Sequence, residues 1–154
     1  YFPKRYFSSL SKTKRQIRKR ELTKRAKLSW KDPKAYKPFS TDKNVKTRRS
    51  KYILEWKRKF PKSSGLGAYS KATGVPLKTI RKSYNRGMAA WRTGHRPGAT
   101  QAQWGYARVY SFVLKGCTYY YPDNKLVEEA EKRSEKAKAH WKKLKCFCKK
   151  GCKH

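Results

Sequence analysis

Forty-three Lys and Arg stand against nine Asp and Glu in 154 residues, a formal charge of +34. That imbalance limits what the chain can fold into before any motif is considered. A compact body carrying such a charge repels itself and gains no fold stability from it, so the charge points outward to a polyanion. Hydrophobic residues make up only 36% of the chain, yet aromatic residues make up 14%, unlike the aromatic-poor composition of disorder. Basic side chains interleaved with rings describe a chain that orders on a partner. The charge is also spread: residues 1–50 hold 18 basic and 3 acidic side chains, residues 51–125 hold 15 and 2, and residues 126–154 hold 10 and 4. The partner classes are therefore nucleic acid, an anionic membrane surface, or an acidic protein assembly. Ribosomal, virion and chromatin-like proteins share this profile. No run of about 18 apolar residues is present, so no segment is expected to span a bilayer.

Three zones separate along the chain, and the expected class is mainly α. Residues 1–50 read as an extended basic arm, with Lys12, Lys14, Arg15, Arg18, Lys19 and Arg20 as its densest cations. A short helix over residues 13–28 is compatible with the pattern, but Ile17, Leu22, Ala26 and Leu28 are too sparse for a core stripe. Residues 51–122 are the expected small helical core. Tyr52, Ile53, Trp56 and Phe60 fall at helical spacing before Pro61, and Ser63-Ser64-Gly65 breaks the chain. A second helix over residues 66–72, the turn Thr73-Gly74-Val75-Pro76, and Leu77, Ile80 and Tyr84 before Gly87 make residues 66–87 a candidate helix-turn-helix. In that arrangement Val75 and Ile80 pack the helices together, while Lys78, Arg81, Lys82 and Arg86 line the exposed side. The plainer alternative is a structural helical pair, with Pro76 as an ordinary first-turn proline.

Residues 86–112, RGMAAWRTGHRPGATQAQWGYARVYSF, are the most distinctive stretch. Gly94, Pro97 and Gly98 are expected to interrupt a helix over residues 88–91, leaving Arg92, His95 and Arg96 on a tight loop. Ala99-Thr100 is placed to cap a further helix through Gln103, Ala107 and Tyr110. Arg92, Arg96 and Arg108, with loop amides, suit a phosphate or carboxylate, because guanidinium forks bind such groups in bidentate fashion. The competing reading has the same arginines stacking on Trp91, Trp104 and Tyr106 or binding helix ends. Arg-Gly-x-Ala-Ala-Trp-Arg-x-Gly-His-Arg-Pro-Gly, followed by Trp104, Ala107-Arg108-Val109 and Ser111-Phe112, resembles an uncharacterised family encoded by large double-stranded DNA viruses, algal giant viruses among them, and by tailed phages. The resemblance covers residues 65–116. It implies a viral setting and no particular chemistry.

Residues 123–154 read as a C-terminal helix and a Cys-rich tail. Asp123 or Asn124 caps the helix, Glu128, Glu129, Glu131 and Glu135 fall in its first half, and Lys142, Lys143 and Lys145 close it, in accord with the helix dipole. Val127, Ala130, Ala137, Trp141 and Leu144 supply one narrow apolar stripe. Residues 106–113 and 118–121 carry an ambiguous period, and strand competes with helix there. Cys146, Cys148 and Cys152 with His154, or with Cys117, are candidate ligands for a structural zinc, though without the usual pair of two-residue gaps. A disulfide from Cys117 to one of the terminal three, or free thiols, are the alternatives.

No P-loop, nucleophile elbow or paired-carboxylate constellation is present, and the histidines are His95, His140 and His154 alone. The chain is thus expected not to be an enzyme and to have no small-molecule substrate. The expected role is a structural virion protein, a minor capsid component on the inner face of the shell of a large double-stranded DNA virus, made in the host cytoplasm. Its arm bridges capsid proteins, and its charge faces genomic DNA or an anionic inner membrane. The alternative is a viral DNA-binding or genome-condensing protein that uses residues 66–87 as a helix-turn-helix.

Overall fold

The computed structural model describes residues 2–94, 97–148 and 151–152, the side chains of residues 93 and 94 aside. It is mainly α, as expected, with no strand among the described residues. The helices are α1 (Lys12–Ala26), α2 (Lys51–Lys59), α3 (Leu66–Thr73), α4 (Leu77–Gly94), α5 (Gln101–Val113), α6 (Cys117–Tyr120), α7 (Asn124–Arg133) and α8 (Glu135–Lys143). Of the stretches where strand competed, residues 106–113 lie in α5 and residues 118–120 in α6. The chain divides into two compact units: residues 1–48 with 86–104, and residues 49–85 with 105–154. This division replaces the three consecutive zones read from the sequence.

Residues 1–48 are not an extended arm. Ser11 caps α1, its hydroxyl accepting from the Lys14 amide, and three short 3-10 turns (Lys4–Tyr6, Pro33–Tyr36 and Ser40–Asp42) accompany the helix. The inward face of α1 consists of Arg18, Leu22 and Arg25, at four- and three-residue spacing. Two of these are cations, so the face carries no apolar periodicity to read. Arg18 and Arg25 reach the Phe39 ring, their guanidinium carbons 4.2 and 3.6 Å from its centroid. Arg18 also donates to Thr41 Oγ1 at 3.1 Å and pairs with Asp42, and Arg25 donates to the Pro38 carbonyl at 3.0 Å. The apolar core of this unit is small: Leu22, Phe39 and Trp91, flanked by Phe2, Phe7, Tyr36 and Trp104.

The second unit is built on rings. Ser50 caps α2, which buries Trp56; Trp56 stacks on Phe60 at 4.3 Å and meets Tyr69 edge-on at 4.7 Å. Val75, Ile80, Val109, Phe112, Val113, Ala130, Ala137 and Trp141 complete a core closed to solvent. The expected single helix over residues 123–145 is two helices. Ser134 adopts extended backbone (φ −146°, ψ 109°), its hydroxyl accepts from the Ala137 amide at 3.2 Å, and it donates to the Gly74 carbonyl at 2.8 Å. A serine that bonds in both directions outcompetes helix continuity. Conversely, Gly87 does not end α4, which runs unbroken to Gly94, because one glycine costs a helix about 1 kcal/mol without terminating it.

Candidate polyanion-binding surface

Among the described residues Arg18 and Arg25 are the only buried cations. Lys12, Lys14, Arg15, Lys19 and Arg20 are exposed on the remaining faces of α1. Arg15 keeps one tie, from Nε to the Leu10 carbonyl at 2.9 Å. Arg18 therefore leaves the set of arm cations expected to face a partner: it belongs to the core. Burial of Arg25 disfavours its charged form and lowers its pKa from the usual arginine value.

Two described arginines of the distinctive motif, Arg92 and Arg108, are each held by an acceptor of the chain itself. Arg108 donates through Nε and Nη2 to both carboxylate oxygens of Asp123, at 3.0 and 2.7 Å, and Asp123 is fully buried and also accepts from Ser83 at 2.8 Å. Asp123 stands at the N-cap position of α7, but its side chain serves Arg108 and Ser83 instead of capping. Arg92 donates to the Leu28 carbonyl, just past the end of α1, at 2.8 Å. Arg96 and His95 lie outside the described residues. The motif works as a structural clasp. Trp91 Nε1 donates to the Ala99 carbonyl at 2.8 Å, and the Gly98 amide donates to Asp42 at 3.2 Å. Gly98 sits at φ 83°, and a Cβ there would strike the Val45 carbonyl, so only glycine fits. Thr100 and Gln103 then cap α5 reciprocally, each side chain accepting from the other's amide at 3.2 and 2.9 Å.

In the helix-turn-helix candidate the turn and the inward residues lie where the sequence places them. Gly74 ends α3 in the left-handed region (φ 78°, ψ −4°), Val75 and Ile80 are fully buried, and the outer side of α4 carries Lys78, Arg81, Lys82, Asn85 and Arg86. A Cβ at Gly74 would meet the Lys136 side chain and the Ala137 amide, so the turn is seated against the start of α8. Lys82 is spoken for: its Nζ lies 3.1 and 3.0 Å from the two carboxylate oxygens of Glu129, which holds that carboxyl below its usual pKa. Glu128, Glu131 and Glu135 line a shallow depression on α7 and α8 with Lys132 and Lys138.

The cysteines form two disulfides, Cys117–Cys148 and Cys146–Cys152. Cys146, Cys148 and Cys152 are therefore not available as zinc ligands, and His154 lies outside the described residues. The disulfide alternative holds, and Cys117–Cys148 joins the tail to the segment after α5. His140 is half-buried, its Nε2 2.8 Å from the Val113 carbonyl, and burial pushes its pKa below the usual imidazole value. Its surroundings, Phe60 and Trp141, are core rings. Sequence reasoning missed Asp123 and Asp42 as the acceptors around which the arginines organise. The signal available was their rarity, since an acid in so basic a chain is seldom left without a cation.

A family model matches residues 3–132, and its description is a family of unknown function, DUF5824. The chain belongs to that family. The match takes in the first unit from residue 3 onward, the helix-turn-helix candidate, the Trp91–Ala99 clasp and the Arg108–Asp123 pair, and it ends within α7. No curated protein and no solved structure matches the chain.

Proposed function

We propose that this DUF5824 member is a non-enzymatic structural component of a virus particle, a minor capsid protein on the inner face of the shell. Its basic surface faces genomic nucleic acid or an anionic inner membrane. One observation carries the polyanion part. Among the described residues no cation is buried apart from Arg18 and Arg25, while acids such as Asp42, Asp123, Glu55 and Glu129 are occupied by the chain's own cations. A positive surface of that size is neutralised by counterions in solution and takes part in their release on binding a polyanion. The viral setting is supported by the resemblance of residues 65–116 to proteins of large DNA viruses and tailed phages. Residues 1–48 take part as a folded body; a bridge to capsid proteins would use the outer faces of α1 and its turns.

Two measurements test this reading. Peptide mass spectrometry of purified particles, before and after stripping of the outer shell, is expected to retain the chain with the inner fraction. Titration of the purified protein with duplex DNA and with anionic vesicles is expected to show affinity that falls steeply with salt. Absence from particles removes the capsid role, and salt-insensitive binding removes the polyanion role.

A further inference from the structure

We infer that the partner of the second unit is duplex DNA, and that α4 is the element that enters the major groove, with Lys78, Arg81 and Asn85 facing the base edges and phosphates. This rests on the reading that the basic surface faces a polyanion, and it narrows that reading to one macromolecule and one helix.

The order of elements is that of a groove-reading module: a short helix, a tight turn and a longer second helix. α3 spans eight residues, Gly74 turns the chain through a left-handed residue, and α4 begins three residues later at Leu77. Thr73, Val75, Thr79, Ile80 and Ser83 are buried, and Val75 and Ile80 belong to the core of the second unit, so the turn and the inner side of α4 are seated in that core. Successive residues turn about 100° around a helix axis. Lys78, Arg81, Lys82 and Asn85 therefore share the face opposite buried Thr79, Ile80 and Ser83. These positions lie in the first turns of the second helix, the part that meets base edges when a helix-turn-helix docks.

Charge divides that face. Lys82 and Glu129 occupy one edge, so Lys82 is held by an acid and the α7 side is unfavourable for a phosphate backbone. Arg81 projects from the other edge, and Asn85 lies between. Neither Arg81 nor Asn85 is drawn into a hydrogen bond or ion pair among the described residues. Their chemistry is that of direct readout: a guanidinium fork matches the O6 and N7 acceptors of guanine, and a carboxamide matches N6 and N7 of adenine. Lys78, an exposed point charge at the start of α4, suits a phosphate. An acidic protein surface would be served by any exposed lysine and gives no reason for an arginine and an asparagine on one helical face.

The test is selection of bound sequences from a randomised duplex DNA library by the full chain, followed by affinity measurements on the enriched duplex, a scrambled duplex, single-stranded DNA and heparin. Wild type is expected to enrich a defined motif. Arg81→Ala and Asn85→Ala are each expected to weaken binding to that motif by about 10- to 100-fold while leaving the scrambled duplex nearly unchanged. Arg81→Lys keeps the charge and is expected to lose the same selectivity. Lys78→Ala is expected to weaken all duplexes alike and to flatten the salt dependence. Unchanged circular dichroism and melting temperature in each variant show that folding is intact. Enrichment that survives Arg81→Ala and Asn85→Ala overturns the assignment to α4. Salt-sensitive binding without any enrichment, equal on duplex, single strand and heparin, overturns groove reading and leaves the polyanion surface standing. Failure to bind any of the four probes at low salt overturns both.

Discussion

The two units solve one problem, folding under a heavy positive charge, by different means. Residues 1–48 with 86–104 take charge into the core: two arginines of α1 lie against Phe39, with Asp42 and the Pro38 carbonyl as acceptors, and among the described residues Leu22, Phe39 and Trp91 form the buried apolar cluster. Residues 49–85 with 105–154 keep charge out of the core among their described residues, save for Arg108 on Asp123, and bury Trp56, Tyr69, Tyr110, Phe112 and Trp141 in a unit tied by two disulfides. The contrast teaches that arginine can stand in for an apolar residue when a ring face and an acceptor meet it together, because its planar guanidinium is weakly hydrated and stacks. A ring-rich core needs no such arrangement. Even its polar contact is closed: the Tyr69 and Tyr110 hydroxyls lie 2.7 Å apart, and burial raises the Tyr110 pKa.

The comparison breaks most sharply at the single acid buried in the second unit. Asp123→Ala strands the Arg108 guanidinium and the Ser83 hydroxyl, and is expected to cost about 3–5 kcal/mol in urea unfolding. A cost near that of a surface residue would mean that the ring core alone sustains this unit. Next comes the Cys117–Cys148 bridge, which closes a separation of 31 residues. Replacing both cysteines with serine is expected to cost about 3–4 kcal/mol on the chain-entropy relation, with the first loss of amide protection in the tail and α6 by hydrogen exchange. In the first unit, Phe39→Leu keeps apolar bulk but removes the face under Arg18 and Arg25, and is expected to cost about 2 kcal/mol. Its sharpening readout is hydrogen exchange in α1, which should accelerate while α2 and α8 keep their protection; uniform acceleration would refute separate cores.

The smallest effect is a pH dependence in the second unit. Burial is the main cause of the lowered His140 pKa, with Lys59, Lys143 and Lys136 adding to it and the Val113 carbonyl opposing it. The unfolded chain therefore takes up this proton first as pH falls. Stability is fully present above the ordinary value of 6.5 and declines below it, with a slope of at most about 1.4 kcal/mol per pH unit from this one group. His140→Gln is expected to flatten that decline in thermal melts between neutral and mildly acid pH.

Much of the second unit is legible in residue order alone. Trp56 on α2 with Phe60 at its end, the Gly74 turn, and the inward Val75 and Ile80 follow from spacing and local backbone chemistry, as does the Thr100 cap of α5 in the first unit. The break at Ser134 is not legible, since it depends on the Gly74 carbonyl 60 residues away. Nor is the inward turn of Arg18 and Arg25, whose helix shows no apolar stripe. For the candidate surface, Lys78 and Arg81 are readable as outward from the period of α4, whereas Lys82 on Glu129, Arg92 on Leu28 and Arg108 on Asp123 are not.

By itself the sequence determined the helical class, the cationic exterior and the turn between α3 and α4, because periodicity, capping and net charge act over a few residues or over the whole chain at once. Tertiary structure alone decided which cations are drawn inward or held by the chain's own acceptors. An arginine leaves water only where a ring and an oxygen from distant parts of the chain meet it, and no local pattern records that meeting.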